Sequence, residues 1–207
     1  NQEFYFGNAN YWINTTAVVR DPSSWYHVVY VVDTTQGTTS NRQKIYVNGV
    51  LQDRGDTISD PSQNATFDYF NNSSQTYYIG RRQSGNYFDG YLAEIHFTDG
   101  YAYDASYFGF TEQQTGIWKP KKVTGVTYGT NGFHLEFKDN SSTSTLGKDT
   151  SGNENDFSSS GMSVALGTSD ASMIDTPTNN FPTLNPSNRS SGPTLAFGNL
   201  YFFYNYK

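Results

Sequence analysis

Apolar and polar residues alternate along this chain in short bursts, and each burst is bounded by Gly, Pro, Asn, Asp or Ser, the pattern of β-strands joined by turns. The clearest burst covers residues 25–32 (WYHVVYVV), set between Asp21-Pro22-Ser23-Ser24 and Asp33-Thr34-Thr35. Apolar side chains on both of its faces predict a central strand between two sheets. Residues 44–53 (KIYVNGVLQD) predict a hairpin, because Asn48-Gly49 takes the positive φ angles of a type I′ turn at little cost. A further strand is expected over residues 77–82 (YYIGRR), before a turn at Gly85-Asn86. In residues 90–98 (GYLAEIHFT), Tyr91, Ala93, Ile95 and Phe97 share one face, and Leu92, Glu94, His96 and Thr98 share the other. Residues 133–137 (FHLEF) repeat this logic, with Phe133, Leu135 and Phe137 inward and His134 and Glu136 outward. Strands and turns at this spacing favour a sandwich over an α/β fold.

Loops rich in Asn, Ser, Thr, Gly and Asp separate the bursts, the longest over residues 56–74, 140–162 and 168–193. Such loops bury little and are natural places for function or for contacts with neighbouring chains. Residues 194–206 (TLAFGNLYFFYNY) turn apolar and aromatic again and predict one or two strands, returning to the sheet or opening another domain. The expected organisation is one all-β domain over residues 1–160, followed by a loop-rich extension over 161–207. The opening EFYFG reads as the middle of a domain rather than a beginning, so N-terminal strands of the domain are expected upstream.

Composition strengthens this picture. Asn and Asp are plentiful while Glu, Leu and Ala are scarce, which argues against helices. Aromatics make up 17% of the 207 residues, and such side chains supply large contact areas on half-buried pleated surfaces. The net charge of -6 includes no basic stripe, which makes nucleic acid and anionic membranes poor partners. No run approaches the roughly 20 apolar residues of a membrane span. With no cysteine, neither disulfides nor thiol chemistry is available.

Four ordered motifs resemble the concanavalin A-like, laminin-G-like lectin superfamily. They are Trp25-Tyr26-His27-Val28; Tyr46-Val47-Asn48-Gly49; Ile79-Gly80; and Gly90, Leu92, Glu94 and Ile95 in the pattern G-x-[IL]-x-E-[VI]. The resemblance implies an all-β, two-sheet antiparallel jelly-roll sandwich. It also implies a lectin-like module that binds cell-surface or extracellular glycans. A second stretch, DTSGNEND at residues 149–156, resembles a loop common near the first strand of such domains, but here it lies at the other end. The longer arrangement, with GIWKPKK, YGTNGFHLEF and DTPTNNF, resembles virion or tail-fibre-like proteins of marine bacteriophages. That resemblance implies an extracellular or virion-surface location and a homo-oligomer packed against other virion or fibre subunits.

Sugar binding by this fold calls for aromatic faces beside Asn or Asp side chains. The candidates are Asn86, Tyr87 and Asp89, then Asp99, Tyr101 and Tyr103, with Phe88, Asp104 and a further group at Tyr69, Phe70, Asn71 and Asn72. The same tyrosines would equally suit a protein–protein interface, where Tyr is enriched, so a structural subunit of a capsid, tail or filament is the alternative function. A calcium ion, which takes six to eight oxygen ligands, has candidate ligands in Asp149, Ser151, Asn153, Asn155 and Asp156 of one loop, but a plain Asx-rich turn is the preferred reading of the same residues, with no other cofactor expected. A glycoside hydrolase is the third possibility. It would need two carboxylates about 5 Å apart on one face, whereas Glu94 stands among apolar neighbours and Glu136 and Asp139 fall on opposite faces of a strand. His27, His96 and His134 each sit on an expected strand and read as sandwich residues satisfied by hydrogen bonds.

Overall fold

The computed structural model describes residues 3–7, 10–21, 24–67, 74, 76–81, 85–164, 194–196 and 201–203. The loop candidates Tyr69, Phe70, Asn71 and Asn72, together with nearly all of the 161–207 extension, lie outside the described residues. Among those described, the regular structure is antiparallel strand plus two single-turn 3-10 helices, with no α-helix. The strands are β1 (Glu3–Gly7), β2 (Trp12–Val18), β3 (Val28–Val32), β4 (Gln43–Val47), β5 (Val50–Leu51), β6 (Ile95–Phe97), β7 (Gly109–Thr111), β8 (Trp118–Pro120), β9 (Phe133–Leu135), β10 (Thr194–Ala196) and β11 (Tyr201–Phe203). The all-β antiparallel class expected from the alternation is therefore the one found. The chain divides into two compact units, residues 1–90 with 102–126, and residues 91–101 with 127–207.

In the first unit, β1 and β2 pair with a bulge between Glu3 and Tyr5. Strand period 2 turns Ile13 and Thr15 inward, and both are almost fully buried. Phe6 stacks on Tyr30 at 5.1 Å, and Phe4 meets Tyr26 edge-on at 6.0 Å. The three-stranded sheet runs β3-β4-β5, so β4 rather than β3 is its central strand. The strand expected from Trp25 begins only at Val28, and Trp25 is 43% exposed. The hairpin forms as predicted, with Asn48 at φ 48° and Gly49 at φ 79° between β4 and β5. Beneath it, the buried Gln43 side chain accepts from the Tyr30 hydroxyl at 2.6 Å and donates to the Ser59 carbonyl and Asp60 carboxylate. Buried Arg42 donates to the carbonyls of Gln36, Gly37 and Pro61, tying these loop residues to the start of β4. A short hairpin of β7 and β8 carries Trp118, whose ring lies directly over the Cα positions of Gly49 and Gly109.

The second unit is built on β6 paired with β9 in the register Ile95↔Leu135, His96↔His134 and Phe97↔Phe133. Leu135 and Leu146 are buried beneath it, and Phe133 packs against Phe97 at 5.4 Å and Phe157 at 4.8 Å. Both strands are shorter than the alternation predicts. Glu94 (φ 52°) and Phe137 (φ 55°) adopt left-handed backbone, which strand geometry does not accommodate, so β6 starts after Glu94 and β9 ends before Phe137. Tyr91 and Leu92, expected to alternate in a strand, are instead both exposed coil. The aromatic tail forms two strands, β10 and β11, which pair with each other.

Candidate functional site

The loop that follows Tyr77 in the first unit does not form the expected strand. Gly80 turns with φ 76°, and Arg81 makes only an isolated bridge to Tyr87, reinforced by Phe88 N–H donating to the Gly80 carbonyl at 2.9 Å. The bridge folds the loop back on itself and leaves its aromatic side chains outside. Tyr87 is 74% exposed, Phe88 56% and Tyr78 42%. The Arg81 guanidinium lies over the Tyr78 ring at 4.2 Å and over the Tyr87 ring at 5.7 Å, so a cation braces the two aromatics. Asn86 and Asp89, which flank Tyr87 and Phe88 in sequence, are exposed. Of the other sugar-site candidates, Tyr103 also belongs to the first unit but packs half-buried on Tyr107 at 4.6 Å. Asp104 caps a 3-10 turn by accepting from the Ser106 N–H and hydroxyl. Asp99 and Tyr101 belong to the second unit. There the Asp99 carboxylate holds Asn131 through its backbone and side-chain N–H groups, while Tyr101 is about half exposed.

The residues proposed for calcium form a loop that bonds to itself. Asp149 is buried, and its carboxylate accepts from the backbone N–H of His134, Ser151 and Asn155 and from the Ser151 hydroxyl, at 2.8 to 3.0 Å. Four donors match the roughly four lone-pair sites of a carboxylate. Burial pushes the Asp149 carboxyl up, but these hydrogen bonds outweigh it and hold the pKa below the ordinary aspartate value. Asp156 accepts from the Asp149 N–H, and Asn153 and Asn155 both donate to the Gly132 carbonyl. A cation seated here would have to displace hydrogen bonds that already use these side chains, so the geometry favours the Asx-rich turn.

A third constellation was read from sequence only as separate residues. Cross-strand pairing of His96 with His134 stacks their rings at 4.0 Å and 15°. Glu94, turned out of the strand by its positive φ, brings Oε2 to 2.8 Å from His134 Nε2 and 4.0 Å from His96 Nε2. Ligand atoms of all three residues lie within 4.8 Å of one another. The second ring nitrogens are also engaged, His96 Nδ1 with the Tyr128 hydroxyl at 2.8 Å and His134 Nδ1 with the Thr150 hydroxyl at 3.0 Å. Burial, with the charges of Asp149, Glu94 and Glu136, pushes the Tyr128 hydroxyl up to about 12, so it stays protonated as a hydrogen-bonding partner. The expectation that Glu94 stands alone among apolar residues is therefore corrected. The same face that alternation assigned to Glu94 and His96 meets His134 once β9 is in register. The third histidine, His27, lies apart from this group, tilted against Trp118 at 5.6 Å. Burial lowers its pKa, and its Nδ1, like Trp118 Nε1, is buried with no hydrogen-bond partner among the described residues. The expectation that hydrogen bonds satisfy each histidine thus fails at His27.

Residues 2–103 match a laminin-G family model described as the concanavalin A-like lectin/glucanases superfamily. This segment is a laminin-G-like domain of that superfamily. The antiparallel all-β structure agrees with the match. The laminin-G-like segment contains the β4–β5 hairpin, the Tyr87 loop, Glu94 and His96, whereas His134 and the 149–156 loop lie beyond it. No curated protein and no solved structure matched the chain. Sequence reasoning proposed the Tyr87 loop from its Asn, Tyr and Asp content. It missed Arg81 as the brace, for which the only signal was a cation six residues before Tyr87.

Proposed function

We propose that the laminin-G-like domain is a non-catalytic carbohydrate-binding module that uses the 78–89 loop as its sugar platform. The observation that carries this reading is the Tyr87 ring, 74% exposed yet braced by Arg81. A flat, pre-positioned aromatic face suits the apolar face of a pyranose ring, and Asn86 and Asp89 stand close by in sequence to bond its hydroxyls. The resemblance of the longer chain to tail-fibre-like proteins extends the proposal to adhesion on a virion or secreted fibre, with cell-surface glycans as ligands.

A glycan array on the purified protein, followed by titration of any hit, tests the proposal. Burying an aromatic ring is worth about 1.5–3 kcal/mol, so Tyr87→Ala should weaken binding about 10- to 100-fold while leaving the thermal midpoint unchanged. An array blank for host lipopolysaccharide and exopolysaccharide would overturn it, as would a hit insensitive to Tyr87→Ala. One observation favours the structural-subunit alternative. Val50 and Leu51, 62% and 51% exposed, form β5 at the edge of the β3-β4-β5 sheet, and an apolar edge strand invites pairing with a second chain. Light scattering showing no stable monomer would favour that alternative.

A further inference from the structure

We infer that Glu94, His96 and His134 form a site for one divalent transition-metal ion, zinc being the best match. Two imidazoles and one carboxylate are a donor set that suits zinc and its neighbours in the first transition row, and hard ions such as calcium prefer all-oxygen surroundings. The geometry is close to what the ion needs. With metal–ligand bonds of about 2.0–2.1 Å, tetrahedral ligand atoms stand about 3.4 Å apart. The Glu94 Oε2 distances of 2.8 Å to His134 Nε2 and 4.0 Å to His96 Nε2 bracket that value, and ligand atoms of all three residues lie within 4.8 Å of one another.

Three further features point the same way. The two histidines come from paired strands in fixed register, which sets their side chains beside one another; the stacked rings would turn so that both Nε2 lone pairs converge on the ion. Each Nδ1 is hydrogen-bonded to a hydroxyl, Tyr128 for one ring and Thr150 for the other. A hydroxyl can accept as well as donate, so both rings can carry their proton on Nδ1 and present an Nε2 lone pair, the second-sphere arrangement of metal-bound histidine. Glu94 reaches the histidines from a left-handed backbone that a glutamate rarely adopts, and such outliers concentrate at functional sites. The His96 and His134 side chains are mostly buried, 9% and 15% exposed, whereas Glu94 is 33% exposed and gives an ion a way in. Three protein donors leave a fourth tetrahedral position for water or an exogenous ligand.

The test uses the untagged full chain, stripped with a chelator and titrated with zinc chloride in competition with a chromophoric chelator, and with cobalt(II) chloride as a visible-spectrum probe. One equivalent of zinc should bind, and the cobalt adduct should show the intense visible bands of low coordination number. His134→Gln and Glu94→Gln should each abolish the one-equivalent phase, and Thr150→Val, which removes only a second-sphere partner, should weaken it by about tenfold. Circular dichroism checks that the variants are folded. If one is not, zinc-edge X-ray absorption of the loaded wild type decides, because two imidazoles per zinc are required. No stoichiometric zinc binding by the wild type, binding unchanged in folded His134→Gln and Glu94→Gln, or an absorption spectrum without histidine would each overturn the inference.

Discussion

Substituting Gly49 by alanine perturbs the most clearly specified turn of the first unit in two separable ways. The residue sits at φ 79°, where an L side chain costs about 1–2 kcal/mol. A Cβ there would also collide with the Trp118 ring, and forcing extra volume into a packed contact costs about 1–3 kcal/mol. Together these predict a loss of about 2–5 kcal/mol, or a thermal midpoint lowered by about 4–20 °C at this chain length. Two further substitutions in the same unit separate the contributions. Gly116 has φ 68° but open space around its Cα, so Gly116→Ala carries the backbone cost alone, about 1–2 kcal/mol. Gly37 has neither positive φ nor a neighbour within 4 Å, so Gly37→Ala should be stabilising by about 0.4–1 kcal/mol through the unfolded chain.

Urea denaturation followed in parallel by circular dichroism and tryptophan fluorescence measures all three. The expected order of stability is Gly37→Ala above wild type, then Gly116→Ala, then Gly49→Ala. Only Gly49→Ala should also shift the native tryptophan emission, because only there must Trp118 move. If Gly49→Ala and Gly116→Ala cost the same and leave emission unchanged, Trp118 does not lie over the turn, and the packing of β8 on the β4–β5 hairpin is wrong.

The other expectations concern polar groups. Asp149→Ala leaves the backbone N–H groups of His134, Ser151 and Asn155 without their acceptor; these donors are part-buried, so the low end of the about 1–3 kcal/mol per unsatisfied group applies, and a loss of about 3 kcal/mol is expected by denaturation in the presence of a chelator. Burial, with the charge of Asp60 adding to it, raises the Tyr30 pKa well above the usual tyrosine value. The unfolded chain therefore ionises this hydroxyl first, and stability contributed by the neutral form is intact below about pH 10 and falls as pH rises above it. Tyr30→Phe should flatten that alkaline decline, while a decline of unchanged slope would show that the hydroxyl is not buried against Gln43.

The turn chemistry of Asn48-Gly49 and the alternation around His96 and His134 were legible because both depend on residues next to one another in sequence. Local chemistry alone sets the I′ turn, and period 2 alone puts His134 opposite to Leu135. Strand ends were less legible. Nothing in the residue types of Glu94 or Phe137 announces a left-handed backbone, and the apolar run of residues 90–98 looked like a continuous strand for that reason. The exposure of Tyr87 and Phe88 was legible only as composition, since the fold-back that exposes them depends on the Arg81–Tyr87 bridge.

The Glu94–His96–His134 group shows why the last step needs a structure. His96 and His134 lie on strands separated by 35 residues of chain, with Glu94 just before the first, and the register of the antiparallel pair decides whether they meet: slipped by one residue, His134 would exchange faces with its neighbours and leave Glu94 and His96 without it. Buried Leu135 opposes the one-residue slip, because that slip would take it out of the core. The core thus selects the face on which the polar side chains meet. The family match ends at residue 103, before β9 begins, so two of the three groups belong to the laminin-G-like segment and the third to the chain that follows. A laminin-G-like sheet carrying Glu94 and His96 alone would hold an ion weakly. It is the β9 strand of this chain that turns two donors into a chelating set.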